Sequence, residues 1–364
     1  MTFRMTMHPG KDGDCIQLSW GSTTELHHLI VDLGRGATYK DIKTDLEALD
    51  NVELFVMSHV DADHIGGAIP MVRQVKAPFK PGRVWYNAKP QLMAAQTRSP
   101  ITEPFSARQG EKLARGIVKF GWPWNAEFAS EIVSTDSPEA AQPIDIADGL
   151  TIRLLSPGDA QLIDMIDQWE SELARAKIRT FDPDVDPDPL DPVFEPLGTP
   201  NVKSLVAENY NGDTTKPNGT SIAFIAEFGG KRVLLAADAH SEVLEAALKP
   251  LAEAEGGKVR IDLMKISHHG SKANTSKTLP EIMDCTRFAI STNGSGRHSH
   301  PNGESIARFI AADKDRQKTL YFNYRQPSTD TWDSASLKAT WNYLPVYAAA
   351  DEDDPENGKL VIDI

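Results

Sequence analysis

Two histidines and two aspartates crowd into six positions of the sequence, directly after an apolar run typical of a buried strand. The run is VELFVM, and the polar residues behind it are His59, Asp61, Asp63 and His64. Imidazole nitrogens and carboxylate oxygens are the donors that divalent cations bind at about 2.0–2.2 Å. Because side chains alternate along an extended chain, His59 and Asp61 are expected on the same side. The pattern therefore predicts a metal site at the carboxyl end of a strand, where open α/β sheets place ligands. The alternative is a polar surface loop with one core histidine.

Three further loops carry metal-binding residue types behind predicted strands. Asp238 follows KRVLLAA, the pair His268 and His269 follows RIDLMKIS, and a later loop contains His298 and His300. A carboxylate in the position of Asp238 can share its two oxygens between two cations. Two metals about 3.5–4 Å apart bind a hydroxide at neutral pH and hold both the entering and the leaving oxygen of a displacement. The pattern therefore predicts one dinuclear centre assembled from several loops.

Short strands and amphipathic helices must position these loops. Gly229-Gly230 between SIAFIAEF and KRVLLAA predicts a β-hairpin. Helical spacing predicts helices over YKDIKTDLEAL, over 107–120, from Asp159 to about Lys177, and from about Ser241 to Glu255. The other predicted strands are FRMTMHP, CIQLSW, HHLIVDLG, VELFVM, GRVWYN, GLTIRLLSP, RIDLMKIS, TRFAIST and KLVIDI. This order predicts an α/β fold with two strand-rich halves in a single domain over residues 1–364.

An acidic segment interrupts the pattern. Residues 181–200 alternate Asp and Pro. Proline blocks both helices and central strands, and the like charges repel one another. We predict an extended, poorly packed insertion over about 180–217, which forms either a solvated loop or a flexible lid.

The composition limits partners and compartment. The chain of 364 residues has a formal net charge of −14 and a pI of about 5.2, so bulk charge does not attract nucleic acid. Its two cysteines, Cys15 and Cys285, are far apart and predict reduced thiols in the cytoplasm. We find no signal-peptide pattern and no apolar run that would span a membrane.

Taken in order, the motifs resemble the metallo-β-lactamase superfamily of αββα hydrolases. They most resemble the hydrolase domain of bacterial DNA-uptake (competence) channel proteins and the related phosphorylcholine esterases. The resemblance runs through DGDCIQLSWG with HLIVDLG, SHVDADHIGG, NGTSIAFIAEFGGKRVLLAADA, LMKISHHGSKANTS and HSHPNGES. It does not cover residues 80–145 or the Asp-Pro insertion. It implies a four-layer αββα sandwich and a metal-dependent hydrolase.

The resemblance also implies metal ligands by position. These are His59 and Asp61 on the first cation, Asp63 and His64 on the second, Asp238 as the bridge, and one of His268 and His269 on the second. The sequence does not say which of the two histidines binds, and the other would face substrate. The usual motif has His in place of Asp61, and a carboxylate there makes Mn²⁺ more competitive with Zn²⁺. Many superfamily members carry a further ligand histidine, but no histidine lies between His64 and His240. The first cation would then have fewer protein ligands, or be completed by Asp14, His240 or water.

Residues around this centre are candidates for catalysis and substrate binding. The predicted catalytic residues are Asp63, His269 and His300, and the predicted substrate contacts are Lys265, Ser271, Lys272 and His298. Ser271 and Lys272 precede a predicted helix start, where backbone N–H groups favour anions. His300 either stabilises charge in the transition state or is a structural loop residue. Lys265 points either toward the site or into solvent.

The sequence is compatible with three functions. The first is a dinuclear phosphodiesterase or nuclease with a metal-bridging hydroxide, acting on a small phosphodiester, a nucleotide, or nucleic acid delivered by an operon-encoded partner. The second is hydrolysis of an ester, thioester or lactone with the same metals. The third is a partner-dependent regulatory protein that retains the metal site. The sequence does not specify the oligomeric state.

Overall fold

Two β-sheets organise the computed structural model, which describes residues 1–98, 112–169, 171–172, 198–295, 299–349 and 358–364. The strands in these ranges are Thr2–Met7 (β1), Ile16–Gly21 (β2), Leu26–Val31 (β3), Val52–Val56 (β4), Arg83–Trp85 (β5), Ile144–Ala147 (β6), Leu150–Ser156 (β7), Ala223–Phe228 (β8), Lys231–Leu235 (β9), Val259–Arg260 (β10), Leu263–Lys265 (β11), Met283–Asp284 (β12), Arg287–Ile290 (β13), Lys318–Phe322 (β14), Tyr343–Tyr347 (β15) and Leu360–Asp363 (β16).

Each sheet combines antiparallel strands with a parallel run. The N-terminal sheet has the order β16-β1-β2-β3-β4-β5, and β3, β4 and β5 are parallel. The C-terminal sheet has the order β15-β14-β13-β11-β9-β8-β7-β6, and it is parallel from β9 to β15. Strands β10 and β12 form a separate parallel pair. In a parallel run all carboxyl ends lie at one edge, so the loops after β9 and β11 meet at one edge of the C-terminal sheet. The loop after β4 reaches them from the facing N-terminal sheet.

Helices cover the outer face of each sheet. The α-helices within the described ranges are Tyr39–Glu47, Ala62–Ile65, Ala68–Arg73, Lys89–Thr97, Lys112–Phe120, Asp159–Met165, Val202–Ala207, Lys216–Gly219, Ser241–Ala254, Gly303–Ala311, Pro327–Asp330 and Ala335–Trp341. Among the residues described, no helix is long and apolar enough to cross a lipid bilayer.

Alternating side chains divide the core into three layers. In β4, Leu54 and Val56 join a buried cluster that includes Phe224 and Leu235 of the opposite sheet, so this cluster lies between the sheets. Phe55 points the other way, into a cluster with the helices on the N-terminal sheet. A third cluster lies between the C-terminal sheet and its helices. The predicted four-layer αββα fold class is confirmed.

The hairpin predicted at Gly229-Gly230 is present, with Phe228 paired to Lys231. Strands β14 and β15 were not predicted. Pro345 lies within β15, and proline in a run argues against a central strand because it lacks an N–H donor. Strand β15 accommodates it because it lies at the edge of the C-terminal sheet.

The segment behind the Asp-Pro stretch differs from the prediction. Residues 173–197 and 99–111 lie outside the described part of the chain. From 198 onward, however, the chain is not extended throughout, because Val202–Ala207 and Lys216–Gly219 are helical. Asn201 caps the helix Val202–Ala207 by accepting a hydrogen bond from the N–H of Ser204 at 3.2 Å. Val202 is buried in the C-terminal core, a contact that so short a helix does not reveal by periodicity.

A glycine allows the turn between β1 and β2 to approach the predicted metal motif. A Cβ added at Gly13 would lie 1.7 Å from the carbonyl oxygen of Asp63. The next residue, Asp14, donates its backbone N–H to that same oxygen at 3.2 Å. No side chain fits between the two loops, so they pack backbone to backbone.

We therefore expect Gly13→Ala to lower the free energy of unfolding by about 1–3 kcal/mol, because the added methyl group forces the loops apart. Urea denaturation of the metal-free protein measures this change. Gly198→Ala is the matched control, since nothing lies within 4 Å of its added Cβ. Equal stability of the two variants would contradict the close approach.

Candidate metal centre

The predicted ligands converge because three strands end beside one another. His59 follows β4, Asp238 follows β9, and His268 and His269 follow β11. The helix Ala62–Ile65 then brings Asp63 and His64 back toward the strand ends. His268 and His269 both have left-handed backbone conformations, with φ of 48° and 53°. Such values are uncommon outside glycine, although histidine is among the residues that adopt them more often. They turn the chain sharply, so that both imidazoles face Asp238.

The carboxylate of Asp238 divides four imidazoles into two pairs. Its Oδ1 lies 3.3 Å from Nε2 of His64 and 4.0 Å from Nε2 of His269. Its Oδ2 lies 3.9 Å from Nε2 of His59 and 3.7 Å from Nε2 of His268. Each oxygen therefore faces its own pair of imidazole nitrogens.

Two aspartates extend this arrangement. Asp63 Oδ2 lies 3.4 Å from Nε2 of His269, and Asp61 Oδ2 lies 3.8 Å from Nε2 of His59. Among the described residues, the groups with ligand atoms mutually within 4.8 Å are His59, His64 and Asp238, and Asp63, His64 and His269. Of the two histidines left open by the sequence, His269 therefore lies with the second set. His268 lies outside both groups.

Buried polar atoms without hydrogen-bond partners mark the centre. They are Nε2 of His59, His64 and His269, together with Oδ1 of Asp238. Buried polar atoms in native proteins nearly always have partners. A cation bound by these atoms would supply the missing interaction. A set of imidazoles and carboxylates without thiolates suits divalent zinc or manganese. The residues present therefore fit divalent metal binding.

Asp32, which the sequence analysis did not single out, fixes two of these imidazoles. Its Oδ1 accepts the backbone N–H of Ser58 at 2.8 Å, and its Oδ2 accepts the Ser58 hydroxyl at 2.6 Å and Nδ1–H of His64 at 2.8 Å. Because the Ser58 hydroxyl donates to Asp32, its oxygen is left to accept Nδ1–H of His59 at 3.0 Å. Both rings thus direct Nε2 at the centre, the usual arrangement for ligand histidines.

A buried ion pair supports His269 from behind. Its Nδ1–H donates to the carbonyl of Ser291 at 2.9 Å, and Asp14 Oδ1 lies 3.4 Å from the same nitrogen. The other oxygen of Asp14 accepts from Lys265 Nζ at 2.8 Å. Lys265 is 1% exposed, so its ammonium group holds Asp14 in place and does not reach the cleft. The predicted substrate contact of Lys265 is not favoured by this geometry.

In the metal-free centre, neighbouring groups of opposite charge shift the pKa values more than burial does. Burial alone would lower the pKa of His64, but the carboxylates of Asp238 and Asp32 raise it well above its ordinary range. Burial alone would raise the pKa of Asp238, but His64, His268 and His269 lower it well below its ordinary range. For His269, Asp14 and Asp238 overcome burial and raise the pKa to about 10.

The other predicted substrate contacts lie at different depths. Ser271 is buried, and its hydroxyl oxygen accepts the backbone N–H of Ala273 at 3.2 Å. The Lys272 side chain is 56% exposed and its ammonium group lies 2.8 Å from Glu304. His298 lies outside the described residues. Contact of any of these side chains with substrate stays a prediction.

His300 and His240, the two remaining histidines of the prediction, have different orientations. The His300 ring lies beside His268, with ring centroids 5.0 Å apart, and therefore belongs to the same cleft. The His240 ring turns away, since its Nε2 lies 2.9 Å from the Thr215 carbonyl and donates to it. Neither Asp14, which faces Lys265, nor His240 is placed to complete the first cation.

Comparisons with known proteins find remote likenesses. No family model matches the sequence, and no curated protein matches it. The chain is similar to the metallo-beta-lactamase fold protein YhfI from Bacillus subtilis, with 12% identity and a TM-score of 0.37 over 84% of this chain and 93% of that chain. It is similar to Zn²⁺-bound PqqB from Methylobacterium extorquens, with 11% identity and a TM-score of 0.38 over 99% and 100% of the two chains. A protein of unknown function from Enterococcus faecalis V583 is 11% identical, with a TM-score of 0.30 over 95% of this chain and 88% of that one. Similarities this weak carry no argument about function.

We expect Asp32→Asn to lower divalent metal affinity about 10–100-fold, because the amide no longer accepts from both His64 and Ser58 and the His64 ring loses its orientation. Competition with a chelator of known affinity measures the change. Asp363→Asn, which removes a carboxylate from an exposed pair with Arg4, is the control and should leave affinity unchanged. Equal affinity in both variants would show that Asp32 does not position a ligand.

Metal binding should release protons. At neutral pH the His269 ring of the metal-free protein carries two protons, because its pKa is raised to about 10. A cation must displace the proton on Nε2, so apparent affinity should rise with pH between about 7 and about 9. Calorimetric titrations in buffers of different ionisation enthalpy count the protons released. A heat of binding that is independent of buffer would contradict this expectation.

Proposed function

We propose that the chain is a metal-dependent hydrolase of the metallo-β-lactamase superfamily that cleaves phosphodiester bonds. Within that superfamily we place it nearest the hydrolase domain of bacterial DNA-uptake channel proteins. The observation that carries the proposal is the position of Asp238, whose Oδ1 faces Nε2 of His64 and His269 at 3.3 and 4.0 Å and whose Oδ2 faces Nε2 of His59 at 3.9 Å. A buried carboxylate shared in this way is the arrangement expected of a dinuclear centre. We propose that the centre binds two divalent ions, either Zn²⁺ or Mn²⁺.

The residues around Asp238 define an inner and an open side of the centre. His59, His64 and His269 are buried, whereas the side chains of Asp61, Asp63 and His268 are 31%, 22% and 23% exposed. Substrate therefore approaches from the side of these three residues. Bound divalent ions would supply Lewis-acid activation of water and of the scissile phosphorus centre. The buried imidazoles would hold them in place without reorganisation.

Two neighbouring imidazoles beside the centre are placed to handle protons. His268 faces the cleft, and His300 lies beside it. We assign them the proton lost by the attacking water and the proton required by the leaving oxygen, the usual work of histidine in hydrolysis. Asp63 and His269 belong to the second group of candidate ligands and act by holding the ion there.

The proposed reaction needs no covalent intermediate. Cys15 and Cys285 are buried free thiols. Burial raises the pKa of Cys285 to about 12, and it raises the pKa of Cys15 well above its ordinary range. Neither residue supplies a thiolate near neutral pH, and the thiolate is the reactive form. Water is therefore the proposed nucleophile.

The surrounding charge limits the substrate. Of the cations next to the centre, Lys265 pairs with Asp14, Arg35 with Asp12, and Lys272 with Glu304. Together with the net charge of −14, this pairing disfavours strong binding of long nucleic acid. We propose a small phosphodiester or nucleotide as substrate, or nucleic acid presented by an operon-encoded partner protein.

The pairing of these cations with carboxylates also favours a second candidate function. A neutral ester, thioester or lactone needs no cationic side chain for binding, and the proposed ions would activate water for it equally well. This candidate uses the same residues and differs only in the bond that is broken.

We expect metal-stripped protein to hydrolyse an aryl phosphodiester after Mn²⁺ or Zn²⁺ is restored, and Asp63→Asn to lose this activity because the second ion is no longer held. The matched control is Asp363→Asn, which should retain activity. An aryl carboxylic ester assayed in parallel tests the second candidate. Absence of phosphodiester turnover with both metals, despite two bound ions per chain, would overturn the phosphodiesterase proposal.

A further inference from the structure

His268 is held by a chain of hydrogen bonds that begins outside the predicted metal motifs. Its Nδ1 lies 2.8 Å from Oδ1 of Asn274. The amide nitrogen of Asn274 donates to Asp213 Oδ2 at 2.9 Å and to the backbone carbonyl of Asp238 at 3.1 Å. The sequence analysis placed Asp213 in an extended insertion, and no motif marked it. In the structure it lies behind the imidazole on the open side of the centre.

The chemistry of a carboxylate determines which group donates and which accepts in each of these hydrogen bonds. An ionised carboxylate only accepts hydrogen bonds, so the side-chain NH₂ of Asn274 must face Asp213. The carbonyl oxygen of the same amide then faces His268, and that oxygen also only accepts. The proton of the neutral imidazole therefore lies on Nδ1, and the lone pair lies on Nε2.

Neighbouring groups keep Asp213 ionised and oriented. Burial alone would raise its pKa, but the His268 imidazole, whose Nδ1 lies 3.7 Å from Oδ2, and hydrogen bonds from Thr215, Asn274 and Asn218 lower the pKa well below the ordinary range. Its Oδ1 accepts both the N–H and the hydroxyl of Thr215 at 2.8 Å, which turns Oδ2 toward the amides.

The side-chain amide of Asn218 also donates to Asp213, in agreement with this assignment of donors and acceptors. Asn218 Nδ2 donates to Asp213 Oδ2 at 2.6 Å and lies 3.2 Å from Nδ1 of His268. One imidazole nitrogen cannot donate to Asn274 and also accept from Asn218. The contact with Asn274 is the shorter of the two, and Asn218 already donates to Asp213. Asn218 thus strengthens the acceptor role of Asp213 and does not reverse the chain.

We propose that Asp213 is a positioning residue that acts through Asn274 to fix the tautomer of His268. The lone pair on Nε2, 3.7 Å from Asp238 Oδ2, is thereby directed at the centre, where it accepts a hydrogen bond from the reacting water or a substrate hydroxyl. The role assigned to His268 rests on the proposed function. The direction of the hydrogen-bond chain is independent of it.

Asp213→Asn tests this direction. The new amide presents an NH₂ group toward Asn274 or Asn218, so the Asn274 amide turns and offers its own NH₂ to His268. The imidazole proton then moves from Nδ1 to Nε2. Long-range ¹H–¹⁵N spectra of Zn²⁺-loaded protein labelled with ¹⁵N-histidine report which nitrogen carries the proton. The signal of His268 is identified by its loss in His268→Asn, since asparagine tolerates the left-handed backbone there.

We expect the Nδ1–H tautomer in the wild-type protein and a shift toward Nε2–H in Asp213→Asn. We expect kcat to fall about 100-fold in this variant, with the number of bound ions unchanged. Thr215→Val is the matched control, because it removes only the hydroxyl's hydrogen bond to Oδ1, while the backbone N–H of residue 215 still donates to that oxygen and keeps Oδ2 facing the amides. It should keep the wild-type tautomer and most of the activity.

Asn274→Leu provides a second test if Asp213→Asn folds poorly. It interrupts the same chain, so the variant carrying both changes should lose little more activity than either single variant. An unchanged His268 tautomer in Asp213→Asn and Asn274→Leu would overturn the proposal, as would equal losses in Asp213→Asn and Thr215→Val. If the wild-type protein shows no turnover, the proposed function fails, and the tautomer measurement still decides the role of Asp213.

Discussion

A buried carboxylate between four imidazoles is the constraint on which the rest of this structure depends. Asp238 has almost no access to water, and removing an uncompensated charge from water costs several kcal/mol. The fold compensates it by ending β4 and β11 beside β9, with His59 and His64 arriving from one sheet and His268 and His269 from the other. The arrangement of the two sheets therefore determines where the four imidazoles meet Asp238.

A common rule governs the supporting groups. Asp32 binds Nδ1 of His64 directly and reaches His59 through Ser58, and Asp14 stands beside Nδ1 of His269. Asp213 reaches a further imidazole through an amide. In each case an acid placed behind the ring leaves Nε2 for the centre. Negative charge thus lies on both sides of His64, His268 and His269, which raises the pKa of each of these rings.

The sequence was sufficient for features that depend on local pattern. Apolar runs predicted most strands, and the residue types at their ends predicted where ligands would gather. It was insufficient where distant contacts decide. The burial of Lys265 depends on Asp14, 251 positions away in the chain. The choice of His269 depends on backbone angles that no pattern encodes. Asp32 at the end of HLIVDLG could have been noticed as a strand-end carboxylate, whereas Asp213 gave no signal beyond its type.

The pairing of β16 with β1 has a consequence for how the molecule is made. Arg4 and Asp363 form a side-chain hydrogen bond although 359 positions separate them, and Met5 lies opposite Ile362 in the sheet. Contacts this distant in sequence close late, because the entropy of the intervening loop must first be lost. During synthesis β1 therefore keeps one unpaired edge until residues 360–363 of β16 have emerged.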